Sequence, residues 1–358
     1  MKNGNAKNKA VQAGIPVWTI GIDLGDQKSD YCLVNQAGAV IEEGRVATRA
    51  KELVELLGQW AGARVVIEAS THSPWVSDLV SEVGQEVVVA NMRELPRQRQ
   101  KTDRADARRL AQWGRVDVAM LKPIWHRPAG ERGDLAVLRS RGELVALRTG
   151  LVNHVRGLVK SHGGRLPGCS PEAFARRNWA QVPEALRTAV EPVLRVLLSV
   201  NEQIAVLNQA IARLCRKYEE TRRLQTVPGV GELTALAFRL TLSDPTRFDD
   251  SRSVGAYLGL VPARAQSGQQ DPHLGISKNG DRELRRLLAQ AACYILGPFG
   301  PDSALRRWGL QLKQASVQRN GKSKGHRRAM VAVARKLSVI LHRMWVTGED
   351  YRPFPQAL

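Results

Sequence analysis

Four carboxylates occupy positions where they could do phosphoryl chemistry. Asp23 closes the apolar run Val17-Trp18-Thr19-Ile20-Gly21-Ile22, and Glu68 closes a second, Val65-Val66-Ile67. Asp103 and Asp106 stand in Lys101-Thr102-Asp103-Arg104-Ala105-Asp106-Ala107-Arg108, which reads as the start of a helix. Acids three residues apart share a helix face. Carboxylates at the ends of buried strands, faced by two more on a helix, are a donor set for Mg²⁺. Up to two ions held this way act on the attacking and leaving oxygens of a phosphodiester. Each acid also has an ordinary reading: Asp23 as a strand-end turn residue, Asp103 as a helix N-cap, Asp106 as a partner of Arg109 or Lys101. Asp26, just after the first motif, is a further acid with no evident role.

The rest of the chain favours a polyanionic partner. Lys and Arg number 54 against 34 Asp and Glu, a formal charge of +20 over 358 residues, which points to nucleic acid. Hydrophobic residues at 43% are ordinary for a globular protein. No apolar stretch approaches the ~20 residues of a membrane span, and the basic helices lack the aromatic face of a membrane-surface protein. Residues 1–15 read as a flexible basic tail with Lys2, Lys7 and Lys9 and without the apolar core of a signal peptide. Cys32, Cys169, Cys215 and Cys293 are scattered, which argues against structural zinc and for a reduced cytoplasmic, nucleoid-associated setting.

To position the acids, residues 16–115 must form an α/β domain. Strands are expected at 17–24, 30–35, 39–46, 64–69 and 86–91, with a hairpin turn at Gln36-Ala37-Gly38. Helices are expected at Ala50–Trp60 and Pro74–Val83. Three strands in a meander, then alternating helix and strand, is the order of an RNase H-like (RuvC-like) fold, in which Asp23 and Glu68 lie on neighbouring strands. Gly21-Ile22-Asp23-Leu24-Gly25 also suits the phosphate hairpin of actin-like ATPases, but no second phosphate loop follows.

Residues 116–224 read as a helical middle. One amphipathic helix covers 131–160. From about 184, Val190, Val193, Leu197, Val200, Ile204, Leu207, Ile211, Leu214 and Tyr218 keep alternating steps of three and four, a heptad seam. It fits a coiled coil that joins subunits or two helices of one chain packed antiparallel. Residues 225–348 read as a mainly α-helical domain with a loop at 261–280, followed by a tail at 349–358. Between Lys278 and Arg343 there are fifteen Lys or Arg against Asp281, Glu283 and Asp302. The turn Thr226-Val227-Pro228-Gly229-Val230-Gly231 suits either a helix-hairpin-helix phosphate contact or a plain interhelical turn.

The N-terminal acids with Lys101–Ala107, the 226–231 turn, and Ser267-Gly268…Ser277-Lys278-Asn279-Gly280…Leu284-Arg285-Arg286 occur in an order that resembles the DEDD-type insertion-sequence transposases. These are the recombinases guided by a bridge RNA. The resemblance runs from about residue 17 to 345 and implies that Asp23, Glu68, Asp103 and Asp106 hold Mg²⁺ in a RuvC-like domain. It implies that Ser267 is the nucleophile of a C-terminal transposase domain. Donor and target DNA, a guide RNA and a homo-oligomer (dimer or tetramer) are the partners it implies. A composite site follows, with the serine of one subunit and the acids of a neighbour. On local sequence alone Ser267-Gly268 is an ordinary turn. Arg97, Lys101, Arg104, Lys278, Arg282, Arg285, Arg286, Lys322, Lys324, Arg327 and Arg328 are the candidates for the nucleic-acid backbone, with a solvated helix face as the plainer reading of the last four. The other reading of the acids is a RuvC-type endonuclease that cuts branched DNA by water attack. A non-enzymatic nucleic-acid scaffold is a third.

Overall fold

A computed structural model describes residues 16–91, 102–263 and 274–354, with two compact units, 1–129 and 130–358. The first unit holds β1 (Trp18–Asp23), β2 (Lys28–Asn35), β3 (Val40–Ala47), α1 (Ala50–Gly58), β4 (Arg64–Glu68), α2 (Ser73–Glu82), β5 (Glu86–Ala90) and α3 (Asp103–Val116), followed by a short 3-10 turn, Val118–Leu121. The expected strands and helices are present within a residue or two of their anticipated ends. Gly38 turns the β2–β3 hairpin at φ +88°, a conformation glycine adopts without a Cβ clash.

The sheet order is β3-β2-β1-β4-β5. β1 pairs antiparallel with β2 and parallel with β4, and β4 pairs parallel with β5. This mixed sheet, followed by a largely helical body, is consistent with an RNase H-like domain and a helical domain. Strand alternation sorts the side chains onto two faces. Ile20, Ile22, Leu33, Val65, Ile67 and Val89 join Leu53 and Leu57 of α1 and Val76 and Val80 of α2 in one core. The opposite face carries Gly21, Cys32, Val34, Val66 and Val88 against α3.

α3 lies unusually close to that face because its contact row is small. Cys32 and Val34 pack on Ala107 and Ala111. A Cβ at Gly21 would stand 2.1 Å from the Ala107 carbonyl and 2.4 Å from the Ala111 nitrogen, and one at Gly114 would stand 2.3 Å from Val66 Cγ2. Both ends of the helix are pinned. Arg104 and Arg108 reach Glu43 of β3 at 2.7 and 2.6 Å. The buried Arg64 of β4 donates to the Gly114 carbonyl at 2.8 Å and pairs with Glu86 at 2.9 Å. A cation on a carbonyl of the last turn also suits the helix dipole.

The second unit holds α4 (Ala129–Ser161), α5 (Phe174–Asn178), α6 (Glu184–Lys217), α7 (Glu220–Leu224), α8 (Glu232–Leu242), α9 (Ser253–Tyr257), α10 (Arg282–Leu296), α11 (Ala304–Asn320) and α12 (Lys322–Thr347). α4 and α6 pack antiparallel within the chain. One end of the pair, with Val155, Val159, Val190, Leu194 and Leu197, closes over Phe174. The other, with Leu135, Leu138, Ile211, Cys215 and Tyr218, enters the core formed by α8, α10 and α12. Every fourth-then-third position of the expected seam is at least half-buried, and Val190, Leu197, Ile204, Ile211 and Tyr218 are fully so. α11 and α12 form a second hairpin whose backbones approach at two glycines: a Cβ at Gly309 would meet Val333 at 2.6 Å and one at Gly325 the Val317 nitrogen at 2.5 Å.

Gly21→Ala is expected to destabilise the first unit by about 1–3 kcal/mol through overpacking and to displace α3. Thermal melting would read the first effect, and an unchanged melting temperature would show that α3 does not rest on Gly21.

Candidate active site

The carboxyl edge of the sheet is where the four acids meet the fold. Ile22 of β1 pairs with Ile67 of β4, so Asp23 and Glu68 follow in step at the ends of adjacent strands. Asp23 shares the α3 face with Gly21, and Glu68 shares it with Arg64 and Val66, by the two-residue alternation of a strand. α3 begins over the same edge. Thr102 caps it by accepting from the Ala105 amide at 3.3 Å, and the acids of the first turn are favoured by the helix dipole. Asp106 precedes Ala107, lies four residues before the core residue Leu110, and is 4% exposed. Asp103 precedes the Ala107–Ala111 row by one turn and is exposed. Asp23 and Glu68 are half-buried.

Backbone register therefore sets Asp23 and Glu68 on one face at one edge, and α3, packed on that face, carries Asp103 and Asp106 in its first turn. The side chains themselves stand apart: among the described residues, no three His, Cys, Asp or Glu converge closely enough to hold a metal ion. The donor chemistry fits a hard divalent cation, since every one of the four offers carboxylate oxygen.

Two further acids on this face escaped the reading of the sequence. Asp30 pairs directly across β1–β2 from Asp23 and is held by Arg45 through Nε at 3.1 Å and Nη2 at 3.2 Å. Counting outward from the loop Leu24–Gln27 would have found it. Glu43, whose side chain is 5% exposed, binds Arg104 and Arg108, and Asp30, Glu43, Arg45, Thr102, Asp103 and Arg104 line a groove of 580 Å³. Hydrogen bonds from Arg108 above all pull the Glu43 carboxyl down to about 2. Burial, then the neighbouring Glu43, push the Cys32 thiol up to about 12, so it stays protonated.

Asp26 has a partner at the same edge. Its Oδ1 lies 3.3 Å from His72 Nε2, and the Trp75 indole donates to His72 Nδ1 at 3.1 Å. That donation leaves the Nδ1 lone pair occupied and puts the ring proton on Nε2, toward Asp26. Ser73 Oγ, beside His72, meets His126 Nε2 at 2.9 Å.

In the second unit, Ser267 lies outside the described residues, as do Arg97 and Lys101. The described residues on either side of 264–273 pair with each other. The Ser277 amide donates to the Val261 carbonyl at 2.9 Å, and the Ala263 amide to the Gly275 carbonyl at 2.8 Å. Gly259 and Gly280, at φ +68° and +76°, let the two strands of the base cross backbone on backbone. Arg285 donates Nη1 to the carbonyls of Leu258, Asn279 and Gly280, so that guanidinium anchors the loop. Lys278 and Arg282 are exposed, and Arg286 chelates Glu283 with both arms of its fork. Asp281 caps α10 by accepting from the Leu284 amide at 2.8 Å. Lys324, Arg327 and Arg328 are exposed on α12, while only the helical backbone of Lys322 is described. The 226–231 turn has Gly229 at φ +84° against Ala291 and Tyr294, and Gly231 caps α8 without a side chain. No helix among the described residues is long and apolar enough to cross a membrane.

The Glu43 pKa lies below its ordinary 4.5, so the ion pairs with α3 stabilise fully above about 4.5 and are lost as pH falls toward about 2. Glu43→Gln is expected to lower the melting temperature at neutral pH and to flatten the decline between pH 4.5 and 2. A mutant whose acid profile runs parallel to the parent's would refute the clamp.

Residues 20–163 match the DEDD transposase family of IS110 type, described as "Transposase", and residues 221–303 match the "Transposase IS116/IS110/IS902 family". The first match contains all four acids, and the second contains the 226–231 turn, Ser267 and the arginines of α10. The transposase for insertion sequence element IS1111A of Coxiella burnetii is 26% identical over 340 residues, covering 93% of this chain and 91% of that protein. The IS1328 transposase of Yersinia enterocolitica is 27% identical over 291 residues, 77% of this chain and 83% of its own length. A probable family 20 transposase of Pseudomonas aeruginosa is 31% identical over 229 residues, covering 60% and 64%. With its acids set at one sheet edge and both halves matched in order, the chain belongs to the DEDD-type insertion-sequence transposases, enzymes that cleave and rejoin DNA.

Proposed function

We propose that this transposase excises and inserts its element through a serine–DNA intermediate, with the acids Asp23, Glu68, Asp103 and Asp106 holding Mg²⁺ and a structured RNA choosing the sites. The observation that supports the reading is that Asp23 and Glu68 end adjacent strands on the sheet face against which α3, the helix bearing Asp103 and Asp106, packs. When bound, the metal would offset charge on the phosphate oxygens around the broken bond. The chain's own residues do the rest. Asp106, buried beneath the first turn of α3, is the most constrained of the four, and Asp103 and Glu68 have room to move toward a cation. Arg45 keeps Asp30 paired beside them.

In the cleavage step, Ser267 Oγ loses its proton and attacks phosphorus. A phosphoserine ester forms, the P–O bond to the departing strand breaks, and that strand end leaves as a hydroxyl after taking up a proton. Attack by the hydroxyl of another strand reverses the step, so the phosphodiester energy is conserved. The loop base held by Gly259, Gly280 and Arg285 would present the serine, and the exposed Lys278, Arg282, Arg286, Lys324, Arg327 and Arg328 would contact backbone phosphate without reading sequence. Arg97, Lys101 and Arg104 would do the same near the acids. The middle of the α4–α6 pair supports self-association, since Leu147, Leu198 and Val206 remain 48%, 36% and 52% exposed there. A dimer or tetramer would let the serine of one subunit meet the acids of another.

Ser267→Ala is expected to abolish strand transfer and the protein–DNA adduct on denaturing gels while leaving nucleic-acid binding intact. Full recombination by that mutant would remove the serine from the mechanism. Strand cleavage without any adduct in the parent protein would favour water attack. Asp23→Asn is expected to abolish cleavage at every Mg²⁺ concentration; rescue by excess metal would mean that Asp23 is not an essential ligand.

A further inference from the structure

The seam between α4 and α6 is apolar at both ends, and its middle, where Val200 and Ile204 are also buried, carries polar side chains as well. Arg141 Nε donates to Asn208 at 2.6 Å, and seven residues on, Arg148 Nη1 donates to Asn201 at 3.3 Å and to Glu172 at 2.5 Å. Seven residues are two turns, so both arginines point along the same helix face. The first turn of α10 leans on this stretch: a Cβ at Gly142 would stand 3.8 Å from Glu283 Oε1, and Glu283 carries Arg286. Arg139, at the same level, reaches only to 3.9 Å from Asp281.

Three features of this place go beyond helix packing. The Arg148 side chain is 12% exposed, yet its Nε is buried without an acceptor. The side-chain amide nitrogen of Asn201, against the same arginine, is also buried without an acceptor. Two adjacent donors of this kind are costly unless an acceptor joins them. Like charges also crowd. After burial, the charges of Arg148 and Arg286 are what hold the Arg141 guanidinium below its ordinary value, and Glu283 only partly opposes them. A self-repelling group of forked donors, with the Arg148 Nε and the Asn201 amide nitrogen lacking acceptors, matches the oxygens of a phosphodiester.

We propose that Arg141, Arg148 and Asn201 in the α4–α6 seam, with Arg286 of α10, form a phosphate seat for a nucleic-acid strand that passes beside the base of the 261–280 loop. The proposal rests on the nucleic-acid chemistry proposed above and adds a contact surface on the long helices. A strand held there would be fixed relative to α10, which anchors the serine loop through Arg285. Either DNA or RNA supplies the phosphates, and the test separates them.

The experiment titrates the full-length protein with a fluorescent DNA duplex and with a structured RNA hairpin across a salt series. Arg141→Gln and Arg148→Gln are each expected to weaken binding of one of the two several-fold. Each should also flatten the log–log salt slope by roughly 0.9 for duplex DNA, or by roughly 0.7 where the bound segment is single-stranded. Arg195→Gln removes one charge from the exposed side of α6, where Arg195 is 76% exposed, and should leave the slope unchanged. Arg141→Lys keeps the charge, so it should keep the slope while losing affinity. Folding of each variant is checked by circular dichroism, and Arg148→Lys replaces Arg148→Gln if the latter unfolds, with loss of affinity at constant slope expected. Parental slopes and affinities for both nucleic acids in folded Arg141→Gln would overturn the seat, as would an equal loss in Arg195→Gln. Failure of the parent to bind either probe would instead overturn the functional reading beneath it.

Discussion

The first unit depends on how closely α3 can approach β1. Gly21, Ala107, Ala111 and Gly114 leave almost no side chain between helix and sheet. At that separation the first turn of the helix, with Asp103, lines a groove with Asp30 of β2 and Glu43 and Arg45 of β3, while Asp23 and Glu68 end the neighbouring strands β1 and β4. The ion pairs of Glu43 with Arg104 and Arg108 at one end, and the hydrogen bond from Arg64 to the Gly114 carbonyl at the other, fix the helix along its own axis. Small residues set the depth of the contact and charged ones its register.

A surplus of positive charge has structural consequences as well as functional ones. In the C-terminal region much of it is absorbed locally: Arg285 by three carbonyls, Arg307 by Asp302. Where absorption is incomplete, as at Arg148 beside Arg141, cations stand together and a buried guanidinium nitrogen lacks an acceptor. Such places are stable only because other contacts hold them, and a polyanion relieves the repulsion. The α4–α6 pair illustrates this, since its two apolar ends sit in separate cores and carry the polar middle between them.

Much of this organisation was legible in the chain. Continuous apolar runs gave β1, β4 and β5 because strands buried on both faces need no alternation. Gln36-Ala37-Gly38 marked the hairpin, and the heptad spacing marked α6. Asp30 and Glu43 were missed because a carboxylate inside a strand carries no local signal of its importance. Asp30 matters only because β1–β2 pairing sets it opposite Asp23, and Glu43 only because two arginines some sixty residues later come to rest on it. The heptad seam could not distinguish a partner chain from α4, since either would bury the same apolar positions.

Sequence alone therefore determined the element types and the basic character, because periodicity and charge are properties of local composition, and it named four acids and a serine as candidates. Which acids share a face, which arginines are spent on carbonyls and which remain crowded were decided only by the tertiary structure. Those outcomes depend on pairing register and on the distance between packed backbones, and both arise from contacts between residues far apart in the chain.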